Sequence, residues 1–192
     1  MLRANTFTLG SNPNQVFDSE NVGPYPGTLT GSTATSFFCL DDTLTSVFGG
    51  SYQGTVKTPT TQAEQEAAFL GAYALYKGSP SSNATIVNSV EGPISFAIWQ
   101  IMGTLGSTPA DPNAQAYIRT AEYAYSHNLI PQSYLNSVLI FLPSNPNIQR
   151  FITVVPDDPM IASAVPEPGT TALMAGGLLL FTRRRARAKQ HN

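Results

Sequence analysis

The order of local signals along the chain constrains its fold most: β-type segments come first, helix caps follow, and β-type segments return at the end. Turn signals punctuate the first third at Asn12-Pro13-Asn14, Gly23-Pro24, Pro26-Gly27 and Gly49-Gly50. Between them lie short segments rich in β-formers at 6–9, 15–18, 28–30, 35–40, 44–48 and 51–57. Such spacing predicts a small sandwich or barrel.

The middle of the chain changes period. Thr61 with Glu64 three residues later is a capping-box pattern. Ala63, Ala67, Leu70 and Ala74 then follow at helical spacing, with Gly78 as the stop. The stretch 95–102 is apolar on nearly every side, which predicts a buried helix ended by Gly103 and Gly106. Asp111-Pro112 pairs an N-cap with a first-turn proline, and Ala114, Tyr117, Ile118, Ala121 and Tyr125 make one face after it. Apolar runs at 137–142 and 151–155 predict two further strands around a turn at 143–146. The expectation is an α+β body over 1–155, a small β-sandwich or barrel with a helical insertion. A linker at 156–164 and a short single C-terminal hydrophobic helix would follow.

Composition removes several classes. Of the 192 residues, 11% are charged, under half the usual ~25%. Disorder of the highly charged type is therefore excluded. The net charge of −2, with few basic residues outside one tail, excludes a nucleic-acid partner. A single cysteine, Cys39, excludes a disulfide scaffold. No window reaches the ~18 uninterrupted apolar residues of a polytopic membrane protein.

The charge is unevenly placed. Arg183, Arg184, Arg185, Arg187 and Lys189 are half of the basic residues, and every acidic residue precedes them. Upstream stands Val165, Pro166, Glu167, Pro168, Gly169 and Thr170, then an apolar run at 172–181. The two prolines hold the chain extended, as a protease cleft requires. As a helix, 170–182 would span about 20 Å at ~1.5 Å per residue, short of the ~30 Å hydrocarbon core. Snorkelling arginines would recover part of that mismatch and place the body outside.

This layout resembles the PEP-CTERM sorting signal of Gram-negative bacteria, a tail also described as an ice-binding-protein C-terminal domain. The resemblance covers about 165–187: a Pro-Glu-Pro triplet, a short membrane helix at 168–182 and a basic tail at 183–192. It implies an exosortase as partner, transient anchoring in the inner membrane, and processing within 165–170. The protein would then reach the cell surface or be secreted, and an exopolysaccharide would be a further partner. An exported protein needs an N-terminal signal, which the start Met1-Leu2-Arg3-Ala4 does not open. The expectation is a true start codon upstream, with an in-frame apolar segment.

The body offers little that reads as chemistry. Of the two histidines, His191 lies in the tail and His127 at a helix end, where a capping role suffices. Zinc spacing, a phosphate loop and a nucleophile elbow are all missing, so neither a cofactor nor a metal is expected, and the body reads as non-enzymatic. Asp41-Asp42 and Asp157-Asp158 read as solvated pairs.

Two segments stand out, around Cys39 and Trp99. Val22-Gly23-Pro24-Tyr25, Phe38-Cys39-Leu40-Asp41 and Phe96-Ala97-Ile98-Trp99 together are similar to bacterial thioester domains. There a cysteine thiol and a glutamine amide condense to an electrophile. Here the glutamine position falls on Ser95, and Gln100 is turned about 100° from Trp99 on a helix. The expected body is therefore a chemically silent relative, with Cys39 and Trp99 in the core and the helix 96–102 packed on the strand of Cys39. A surface or matrix protein with a binding or structural role is the leading reading. The alternative is a covalent adhesin using Cys39 with an unconventional acyl partner.

Overall fold

Phenylalanines at inward strand positions decide the first layer. The computed structural model describes residues 5–105 and 111–164. Its strands are β1 (Asn5–Leu9), β2 (Val16–Phe17), β3 (Glu20–Asn21), β4 (Tyr25–Leu29), β5 (Ser36–Cys39), β6 (Ser51–Lys57), β7 (Ile140–Pro143) and β8 (Phe151–Thr153). Six of them close into an antiparallel barrel in the order β1-β4-β5-β8-β7-β6, with β6 returning to β1. Phe7 sits opposite Leu29 on one side and Tyr52 on the other. Its ring lies 4.9 Å from Phe37, 5.4 Å from Phe141 and 4.4 Å from Phe151. Four rings thus fill a barrel too narrow for a channel. On β1, Phe7 and Leu9 are buried between more exposed threonines, the period-2 pattern of a strand with one wet face.

The helices are inserted between β6 and β7. They are α1 (Gln62–Tyr76), α2 (Ala84–Ile86), α3 (Gly92–Ile101), α4 (Pro112–Ser126) and α5 (Gln132–Leu135). Thr61 and Glu64 form the predicted capping box of α1. The Asp111 carboxylate accepts the Asn113 and Ala114 amides, as its predicted cap role requires. Helix α3 is buried on nearly every side and ends at Gly103, whose φ of 67° suits glycine. The second predicted stop, Gly106, lies outside the described residues. The α+β architecture, a barrel carrying a helical insertion, is as the pattern predicted.

Three expectations are corrected. The segment 44–48 forms no strand: the Tyr52 hydroxyl takes the Val47 amide at 2.6 Å, and the chain turns at Gly49 with φ 78°. The segment 156–164 is not a free linker. It holds α6 (Asp158–Ala164), capped by the Asp157 carboxylate on the Met160 amide, with Met160, Ile161 and Ala164 buried. Its apolar residues recur at helical spacing, and a composition-based reading passed over that. Finally, the segment 15–18 is a strand only at Val16–Phe17, because Asp18 and Ser19 both have positive φ and form the tight turn that pairs β2 with β3.

A π-helical turn (Val87–Glu91) leads into α3. Pro93 has no N–H to offer the Ser89 carbonyl four residues back, and the Tyr117 hydroxyl donates to that oxygen at 2.7 Å. The turn also buries Glu91, whose Oε1 accepts from the Ser79 hydroxyl at 2.8 Å and the Ser81 amide at 2.7 Å. Its Oε2 is buried without a hydrogen bond. Burial raises the Glu91 carboxyl above its ordinary 4.5, against those two bonds.

Two outcomes follow from this packing. A Cβ on Gly54 would overlap the Leu142 carbonyl and sit 2.8 Å from the Phe141 ring, whereas one on Gly71, in α1, would meet Val154 at an ordinary 3.7 Å. Gly54→Ala should lower the guanidinium unfolding midpoint by about 1–3 kcal/mol of stability, and Gly71→Ala should raise it by about 0.5–1 kcal/mol. For Glu91 the neutral form is favoured by folding, so its contribution is complete below pH 4.5 and is lost as pH rises through the raised value. Glu91→Gln should flatten that decline and be the more stable protein at pH 8 in the same denaturant titration.

Candidate functional site

Strand β5 ends where α3 ends, and the two are joined by side chains. The Trp99 indole N–H is shared between the Cys39 carbonyl and Cys39 Sγ, both at 3.2 Å. The Thr104 hydroxyl donates to the Leu40 carbonyl at 2.7 Å. Two carbonyls at and just after the end of β5 are thereby satisfied by α3 and the segment that follows it, as buried backbone must be. The predicted packing of the helix 96–102 on the Cys39 strand is what the structure has.

From Cys39 the bonding continues. Sγ lies 3.9 Å from the Tyr25 oxygen as donor, and the Tyr25 hydroxyl donates to the Asn21 carbonyl on β3. Burial pushes the thiol up to about 12, with bonds from Trp99 and Tyr25 too weak to reverse it. Burial likewise drives Tyr25 well above its ordinary value. Both groups are therefore neutral donors at physiological pH, and the thiol is a poor nucleophile. Ser95, at the glutamine position, is buried and accepts the Gly23 amide at 3.1 Å. Gln100 is exposed and accepts from Gln115 at 2.7 Å. Neither presents an acyl carbon to Cys39.

Asp41 corrects another expectation. It is 3% exposed, not solvated, and its carboxylate accepts the Arg150 amide at 2.7 Å and the guanidinium through Nε and Nη2. A forked pair of this kind fixes the geometry of both chains it joins. It anchors the loop 41–49 to the segment before β8, and the Gln149 amide adds a bond to the Asp41 carbonyl at 2.8 Å. His127 is the C-cap residue of α4 and stacks on Tyr123 at 4.0 Å, in line with a capping role.

Beside these anchors lies a cleft of about 250 Å³, lined by residues of the barrel, the β2–β3 hairpin and the loop 41–49. Tyr25, Trp99 and Phe151 line its deep part, all at most 5% exposed. Glu20 and Asn21 of β3 also line the cleft, together with Asp42, Thr45 and Ser46 of the loop. None of the described lining residues is basic. Ser46 Oγ is buried without a hydrogen bond. Sequence reasoning singled out Tyr25 and Trp99 and read Asp42 as solvated, but tied none of the polar residues to a site. They come from three separated segments, and no spacing ties them together.

The remaining predicted site lies elsewhere in the chain. Val165, Pro166, Glu167, Pro168, Gly169, Thr170 and the four arginines Arg183, Arg184, Arg185 and Arg187 are outside the described residues, as is the expected helix 168–182. Among the described residues no helix is long and apolar enough to cross a membrane. None of the described His, Cys, Asp or Glu side chains group in threes as a metal site would.

Residues 164–187 match the PEP-CTERM protein-sorting motif. The chain thus carries a sorting signal at its C-terminal end, of the kind that an exosortase processes. Neither a curated protein nor a solved structure matches the chain. The resemblance of the body to thioester domains gains no support from them.

The thiol gives a direct check. Cys39 should resist a disulfide reagent at pH 8 in the native protein and react fully in guanidinium, with an intact mass equal to the sequence mass. A mass short by one ammonia, with no thiol titrating after unfolding, would contradict this account of Cys39.

Proposed function

We propose that this chain is an exported protein, anchored transiently in the inner membrane by its tail and then released by an exosortase to the cell surface or matrix. Its body would serve there as a non-enzymatic binding or structural module, with an exopolysaccharide as the partner. The observation that carries this reading is the sorting motif at 164–187, which begins on the last residue of the packed helix α6. The folded body thus runs up to the signal without a spacer, as expected of a cargo domain delivered by that signal. The low share of charged residues, 11% of the chain, suits a hydrated polysaccharide environment, where ionic partners are few. Burial of Cys39 favours a non-covalent role over the covalent adhesin.

Coexpression with a cognate exosortase, with an export signal supplied, tests the proposal. The body should be recovered with a C-terminus within 165–170, and replacing Pro166, Glu167 and Pro168 by alanine should leave it uncut in the inner membrane. An unaltered native chain that stays with the membrane would mean a plain anchor.

A further inference from the structure

We infer that the cleft between β3 and the loop 41–49 binds one ring of a neutral sugar chain. The inference deepens the binding role proposed above and rests on it. Size comes first. A volume of about 250 Å³ lies just under the ~300 Å³ at which pockets for drug-sized ligands begin, and it admits a single pyranose-sized ring.

Chemistry narrows the class. Phe48 of the loop lines the cleft with a half-buried ring, 5.9 Å from the buried ring of Tyr25. Such a ring takes the C–H face of a sugar by excluding water from both. The lining also offers a carboxylate at Glu20, an amide at Asn21 and a hydroxyl at Thr45, which suit the hydroxyls of the same sugar. Ser46 Oγ, buried and without a hydrogen bond in the protein, is a further group for a ligand hydroxyl to satisfy.

Charge excludes the anionic sugars. Two carboxylates line the cleft, and none of the described lining residues could neutralise a uronate or a phosphate. The nearby guanidinium of Arg150 is turned to Asp41 and held there by Nε and Nη2. The floor is also fixed before any ligand arrives, because Trp99 and Tyr25 are tied through Cys39. Fixed groups lose little freedom on binding, which favours affinity.

The single tryptophan of the chain, Trp99, reports on the cleft. The full chain is titrated with neutral tetrasaccharides of glucose, galactose, mannose and N-acetylglucosamine, with a glucuronate tetrasaccharide, and with butylamine. At least one neutral tetrasaccharide should change Trp99 emission saturably, while glucuronate and butylamine do not. Glu20→Gln should weaken that binding about tenfold, the effect of one hydrogen bond to a charged group. Thr45→Arg, at an exposed position, should abolish it with the thermal midpoint unchanged. Silence from every neutral sugar, equal binding of glucuronate, binding of butylamine in their place, or unaltered affinity in both variants would overturn the inference. Sorting is read from the mass of the processed chain, so its failure and the failure of this site are separate results.

Discussion

The junction between the end of α3 and the end of β5 is the constraint on which the rest of the body depends. Backbone carbonyls at a strand end must find donors when water is excluded. Here Trp99, on the buried helix α3, and Thr104, just after it, supply them to Cys39 and Leu40. The helical insertion is thereby sewn to the barrel, and is more than a layer resting on it. The same indole leads through the Cys39 thiol and the Tyr25 hydroxyl to the Asn21 carbonyl. One line of hydrogen bonds joins helix, barrel and the β2–β3 hairpin, and it underlies the floor of the cleft. An uncharged thiol is what this line needs, because it must accept from one neighbour and donate to the other.

Barrel closure also shapes the tail. Strand β8 pairs between β5 and β7, and the chain then leaves the barrel towards α1 and α4, where α6 packs. The last residue of that helix, Ala164, is buried and is the first residue of the sorting motif. Body and signal are therefore contiguous. Cutting at 165–170 would remove no residue of the described strands, of α6 or of the α3–β5 junction.

Much of the fold was legible where a local rule is strong. The Thr61 capping box, the Asp111 cap and the apolar stretch of α3 were readable because each satisfies its own backbone within a few residues. Strands β1 and β5 were readable from their β-rich segments, although the inward placement of Phe7 and Phe37 was not, and the closure of the barrel was open between two architectures. What was illegible depends on distant partners. Asp41 looked solvated because Arg150 stands more than a hundred positions away. The segment 44–48 has strand-like residues, yet its backbone is taken by the Tyr52 hydroxyl and a glycine turn. The cleft was invisible for the same reason: its residues converge only after the barrel closes.

The central claim is that the barrel and its helical insertion are one cooperative unit joined at Trp99 and Cys39. Native-state hydrogen exchange of the full chain tests it most directly. The Trp99 indole N–H and the amides of β5 and α3 should all open with one common free energy, equal to that of global unfolding. Exchange of α3 and the indole at a much lower free energy than β5 would show that the helices open alone, and would contradict the account.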